Sequence, residues 1–170
     1  MKQLYFMRHG LSEMNKQGLF SGQTDTPLAK EGRKQCLKAG RSLKNAGIEV
    51  IVSSPMKRAY DSALIVAEVI SYPKDAVILS QLFTERNLGS LEGSSYVKGL
   101  ALNNFDGVEH STDLIERAKE GLAFLNSLEA DIVLVVSHSA MGRAIKHTID
   151  PSVDFSQIGT FNNAEAIRLI

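Results

Sequence analysis

Two kinds of apolar spacing alternate along the chain. Leu4-Tyr5-Phe6-Met7, Val50-Ile51-Val52 and Ile132-Val133-Leu134-Val135-Val136 are short unbroken runs without polar alternation. That is the pattern of strands covered on both faces. Between them apolar residues recur at helical spacing. Cys36, Ala39, Leu43 and Ala46 make one stripe, predicting a helix over Lys30–Ala46 that stops at Gly47. Ala59, Ala63, Val66, Ala67 and Ile70 make a second, opened by Ser54-Pro55 and ended at Tyr72-Pro73. A third, through Leu114, Ala118, Leu122 and Leu125, predicts a helix over Asp113–Leu128 with Ser111 or Thr112 as cap. Ser before Pro is a helix-start signal, with Ser as cap and Pro in the first helical position. Ala76–Leu79 and Ala164–Ile170 are further candidate strands, and a helix through Ala140, Ala144 and Ile145 follows the third apolar run. Segments 10–28, 83–93 and 151–163 read as loops, and the pattern over 96–107 is weak.

Strands alternating with helices indicate an α/β domain with a mainly parallel sheet and helices on both faces. A chain of 170 residues suits one domain, spanning 1–170. Composition changes this picture little. Nineteen basic residues balance nineteen acidic ones, so no global field recruits nucleic acid or an anionic membrane, and any anion site is local. Cys36 is the only cysteine, which excludes an intramolecular disulfide and a Cys-rich zinc site. It lies on a helical stripe, as a packed thiol would. The apolar runs fall far short of the ~20 residues of a membrane helix. The first of them leads straight into Arg8-His9, unlike a signal peptide. A cytoplasmic location is expected.

The ends of the apolar runs carry the chemistry. Met7 is followed by Arg8-His9-Gly10, Val52 by Ser53-Ser54 and then Arg58, and Val136 by Ser137-His138-Ser139. In parallel α/β sheets ligands bind beyond the carboxyl ends of the strands. One sheet edge therefore collects two arginines, two histidines and a helix N-terminus, whose free N–H groups favour anions. An Arg and a His at a strand end are poor core residues and good anion-handling ones. His9 is the candidate phosphate-accepting nucleophile. Arg58, early in its helix, opposes the helix dipole unless it holds an anion. The glycine-punctuated loop Phe83–Gly93 adds carboxylates at Glu85 and Glu92.

RHGLSEMN at 8–15, FSGQTDTPLAKEG at 20–32, SSPMKRAYDSA at 53–63, ERNLGSLEG at 85–93 and VSHSAMGRAI at 136–145 stand in one order along nearly the whole chain. In these stretches the chain resembles the histidine phosphatase superfamily, in its phosphoglycerate-mutase-like branch. The resemblance implies a three-layer α/β/α sandwich with a mainly parallel central sheet. It implies that His9 attacks phosphorus to form phosphohistidine, and that Arg8, Arg58 and His138 bind the phosphoryl oxygens. Glu85 would be the proton donor, with Glu92 as rival carboxylate, and Asn15, Ser21 and Gly22 would contact substrate. Ser139 stands where many relatives have Gly, and its hydroxyl would touch phosphate or simply be tolerated. His110 and His147 are expected on the surface.

No metal or cofactor is expected, because Arg8 and Arg58 would repel a divalent cation from His9 and His138. The expected partner is a small phosphomonoester substrate. Only Ser94–Glu109 is available as a lid, which favours phosphatase over mutase chemistry, since a mutase must shelter its phosphorylated intermediate from water. Mutase-type transfer, protein phosphohistidine hydrolysis and a non-catalytic phosphate-binding module are the alternatives.

Overall fold

A computed structural model describes all 170 residues. The apolar runs become strands β1 (Gln3–Arg8), β2 (Val50–Ser53), β3 (Ile78–Leu79), β4 (Ile132–Ser137) and β5 (Ala166–Arg168). They form one sheet in the order β3-β2-β4-β1-β5. The first four are mutually parallel wherever they pair, and β5 runs antiparallel to β1. The helices are a single turn, α1 (Glu13–Lys16), then α2 (Lys30–Leu43), α3 (Lys57–Val69), α4 (Ser111–Ser127) and α5 (Ser139–Ile149).

Side chains alternate across a strand, so each apolar run feeds two cores. Leu4, Phe6, Val52, Val133 and Val135 join Leu114, Ala118 and Leu125 of α4 and Met141, Ala144 and Ile145 of α5. Met7, Ile51, Leu134 and Val136 join Cys36, Ala39 and Leu43 of α2 and Ala63, Val66 and Ala67 of α3. The result is three layers, with α4 and α5 on one face and α2 and α3 on the other. No helix is long and apolar enough to cross a membrane.

Several local expectations are corrected. The loop over 10–28 contains α1, capped by the Ser12 side chain, which accepts from Asn15 N. Four residues are too few to show helical periodicity. Helix α2 ends at Leu43 rather than Ala46. Helix α3 begins at Lys57, with Met56 at the cap position and no side-chain cap, so Ser54-Pro55 does not start it. The cap of α4 is His110, whose ring accepts from Thr112 N, rather than Ser111 or Thr112. Lys74–Ala76 is a 3-10 turn, leaving only Ile78–Leu79 as strand.

Candidate active site

Register brings the two histidines together. Arg8 of β1 lies opposite Ser137 of β4, so His9 and His138 leave the sheet side by side. Their rings meet edge-on with centroids 5.1 Å apart. His9 Nδ1 is 2.7 Å from the carbonyl oxygen of Gly10. A carbonyl only accepts, so Nδ1 carries the proton and Nε2 keeps its lone pair. Arg58 Nε donates to that Nε2 at 3.3 Å. Gly10 allows this close turn, since a Cβ there would meet Gly32 O at 2.5 Å and Cys36 Sγ at 2.8 Å. Cys36 is thus a packed thiol beneath the loop, and burial pushes its titration upward.

Arg58 is only 1% exposed, and three of its five donors are already engaged. Besides Nε on His9, Nη1 donates to Thr24 O at 2.9 Å and Nη2 to Gly22 O at 2.6 Å. The loop supplying those carbonyls is held by Glu92. Its Oε1 accepts from Gln23 N at 2.8 Å and Leu88 N at 3.2 Å, and its Oε2 from Thr24 Oγ1 at 2.5 Å. Gly22 sits at φ +48°, and a Cβ there would run into Glu92 Oε1. Burial alone would raise the Glu92 carboxyl, but these hydrogen bonds outweigh it and hold it below its ordinary range. The rival carboxylate is therefore committed to the loop.

Glu85 lies at the N-terminus of α5. Its carboxylate accepts from Arg86 N at 2.9 Å and, at 3.4 Å each, from Ala140 N and Met141 N. Its charge acts favourably on both Arg8 and Arg58. The backbone carrying Glu85 is fixed from behind by Arg117 of α4, a residue sequence reasoning missed. Arg117 Nη1 donates to Leu82 O and Thr84 O, and Nη2 to Glu85 O and Glu109 Oε2. Its Nε donates to Glu109 Oε1 at 3.0 Å. An arginine on a helix flank reads as solvated in a sequence, and only the tertiary fold shows otherwise. Gln23 Nε2 adds a further bond to Glu85 O at 3.0 Å. Gln23 also borders a polar cleft of about 280 Å³ shared with Asp25, Pro55, Met56, Gln81 and Thr84.

Buried polar atoms without a protein partner concentrate in the same set of residues. They include Arg8 Nε, Asn15 Oδ1, Ser21 Oγ, His138 Nδ1 and Ser139 Oγ. Arg8 is anchored by Nη1 on Phe161 O at 2.8 Å. Ser139 opens α5, and Asn15 rides on α1. His110 and His147 are engaged elsewhere: the first caps α4 and the second lies 2.8 Å from Val153 O. No group of three or more His, Cys, Asp or Glu is placed to hold a metal ion.

Both site histidines are held neutral. Burial first, then the Arg58 and Arg8 cations, push His9 well below the ordinary histidine range, against a weaker upward pull from Gly10 O. For His138 the causes are burial, then Arg58, His9 and Arg8. The sequence pointed to arginine repulsion; desolvation is the larger cause.

The model of the histidine phosphatase superfamily (branch 1) matches residues 4–168. An uncharacterized phosphatase of Bacillus subtilis (strain 168), PhoE, is 31% identical over 159 residues, covering 89% of this chain and 81% of that protein. A 2,3-bisphosphoglycerate-dependent phosphoglycerate mutase of Nautilia profundicola is 39% identical over 99 residues, covering 55% of this chain and 42% of the mutase. The match thus spans less than half of that mutase's length. Among solved structures, the mycobacterial glucosyl-3-phosphoglycerate phosphatase in complex with VO3 superposes with a TM-score of 0.87. It covers 99% of this chain and 90% of its own, at 25% identity. With the motifs in order and the sheet carrying them to one edge, the chain belongs to the histidine phosphatase superfamily.

Proposed function

We propose that this protein, acting through one domain over residues 1–170, hydrolyses small phosphomonoesters by way of a phosphohistidine on His9. One observation carries the reading. Nδ1–H of His9 is tied to Gly10 O, so a neutral Nε2 lone pair lies beside Arg58 and His138.

In the first half-reaction Nε2 attacks phosphorus and the P–O ester bond breaks. A proton that the monoanionic ester brings to the Glu85 carboxylate passes to the departing oxygen. Arg8, Arg58 and His138 hold the equatorial oxygens, where charge accumulates in the transition state. In the second half-reaction water attacks the phosphohistidine, Glu85 takes up a proton from that water, and the N–P bond breaks. Inorganic phosphate takes that proton from Glu85 as it leaves, and His9 returns to its neutral Nδ1–H form. Asn15, Ser21 and Gly22 lie on the loop before α2 and contact substrate in this reading. Ser139 adds a hydroxyl at the start of α5. No metal or cofactor takes part.

Hydrolysis is preferred over mutase chemistry because the phosphatase relative aligns over 89% of the chain and the mutase over 55%. The segment after Glu92 supports this. It crosses the 18–20 loop through the Leu19–Ser95 bridge and a tilted contact of Tyr96 with Phe20, with Tyr96 still 52% exposed. The mycobacterial neighbour's name points to a phosphorylated sugar acid as one member of a test panel.

The test is leaving-group dependence. Glu85→Gln should slow hydrolysis of an alkyl phosphate by about 10²–10⁴-fold. It should slow p-nitrophenyl phosphate far less, because that leaving group needs little protonation. Equal losses on both substrates would remove Glu85 from the role.

A further inference from the structure

Ser54 was expected to cap a helix, and the structure gives its hydroxyl another use. In-register pairing sets Ser53 opposite Val136, so Ser54 lies beside the Ser137-His138 exit of β4. Ser54 is fully buried, and its Oγ stands 2.8 Å from His138 Nε2. Its other partner is Met56 N, which donates to Oγ at 3.3 Å.

These contacts favour one placement of the hydrogens. A backbone N–H cannot accept, so the bond from Met56 consumes a lone pair of Oγ and leaves the hydroxyl hydrogen unplaced. The only acceptor within reach is His138 Nε2. A buried hydroxyl that fails to donate loses a hydrogen bond it had in water, so the arrangement in which Nε2 accepts is favoured. A neutral imidazole that accepts at Nε2 carries its proton at Nδ1. Nδ1 of His138 is buried and has no partner in the protein. The doubly protonated ring is opposed by burial and by Arg58, His9 and Arg8.

We propose that Ser54 is a positioning residue that fixes His138 as the Nδ1–H tautomer, making it a neutral hydrogen-bond donor to the bound phosphoryl group. The two histidines then share one tautomer and do opposite work. Gly10 O holds the His9 proton on Nδ1 so that Nε2 attacks, and Ser54 claims the His138 lone pair on Nε2 so that Nδ1–H donates. A neutral donor binds phosphoryl oxygen without adding a third cation beside the nucleophile.

The identity of the ligand rests on the phosphatase reading above; the tautomer does not. The test uses the full chain with ¹⁵N-labelled histidine and long-range ¹H–¹⁵N correlation at neutral pH, with His138→Asn assigning the signals. The expected pattern for His138 is a protonated Nδ1 and an unprotonated Nε2, with Nδ1–H shifting on addition of orthovanadate. Ser54→Ala should lose the single-tautomer pattern and weaken orthovanadate inhibition by roughly 10-fold, the scale of one hydrogen bond to a charged ligand. Ser54→Thr, which keeps the hydroxyl, should restore both. A protonated Nε2 in the unsubstituted protein would overturn the proposal. So would a Ser54→Ala variant unchanged in tautomer and in vanadate affinity. If no phosphomonoester is turned over, the phosphatase reading fails, while the tautomer and the vanadate shift still decide the role of Ser54.

Discussion

In the proposed mechanism imidazole attacks phosphorus through an unprotonated ring nitrogen, and the neighbours of His9 leave Nε2 in that form. The Gly10 carbonyl fixes the proton on Nδ1, while burial and two arginines keep the ring neutral. Arg58 is the residue on which most of this converges, since its guanidinium spans Gly22 O, Thr24 O and His9 Nε2. A lysine ammonium is a point donor and cannot bridge these positions. Arg58→Lys should therefore lower kcat/KM by roughly 10²-fold or more. Steady-state kinetics with p-nitrophenyl phosphate measures it, and a loss below threefold would show that only positive charge is needed. The residues of this network were the most legible part of the sequence. Arg8, His9 and His138 lie within two residues of the ends of apolar runs, and a strand end fixes the edge to which its next residues belong. Ser54 was misread because Ser-Pro is a local signal, while the partner of its hydroxyl, His138, lies far along the chain just past the end of β4.

At the scale of elements, two loops are locked together and to the helices behind them. Glu92 joins the Gln23–Thr24 turn to Leu88, and Arg117 of α4 grips the carbonyls of Leu82, Thr84 and Glu85. The first lock positions Arg58 and the second positions Glu85. The two carboxylates thus have different partners, Glu92 the Gln23–Thr24 turn and Leu88, Glu85 its neighbour Arg86 and the start of α5. Glu92→Ala would remove the side-chain acceptor of Gln23 N and Leu88 N. It should destabilise the protein by about 1–2 kcal/mol. Activity should fall by the same factor on alkyl and p-nitrophenyl phosphates if, as proposed, Glu92 acts through Arg58 and not on the leaving group. Urea titration with parallel assays of both substrates checks this, and a loss confined to the alkyl substrate would return Glu92 to the proton-donor role. These locks were not legible in the sequence. Glu109 and Arg117 look like ordinary charged positions around α4, and a glycine-punctuated loop gives no periodicity from which to infer what its carboxylates face. Helix α1 escaped for the related reason that one turn has no repeat.

The whole molecule balances its charge, yet it concentrates cations and neutral imidazoles at one sheet edge. That arrangement carries a pH signature. An unfolded histidine titrates near 6.5. In the folded protein His9 and His138 titrate well below that, by burial and neighbouring arginines. Between the unfolded and folded values the unfolded chain binds more protons, so stability rises with pH there. The contribution is present above about pH 6.5 and is lost as pH falls toward the folded values, at up to about 1.4 kcal/mol per pH unit for each histidine. Glu92, also depressed, acts in the same direction at lower pH, through the ordinary carboxylate range. The urea midpoint should drop between pH 7 and pH 5.5, and His138→Asn should flatten the dependence. An unchanged midpoint would contradict the neutral, buried state of the pair. The layered architecture itself was readable from the alternation of apolar runs and helical stripes. Strand β5 falls within the candidate strand Ala164–Ile170, but its antiparallel direction was not readable, since a short apolar run says nothing of direction.

The central claim is that phosphorus passes through His9. Rapid quenching of the protein during turnover of radiolabelled p-nitrophenyl phosphate, followed by peptide mapping, tests it directly. We predict an acid-labile, base-stable label on the peptide containing His9, absent from His9→Ala. Label that persists in His9→Ala, or turnover with no trapped label at any quench time, would contradict it.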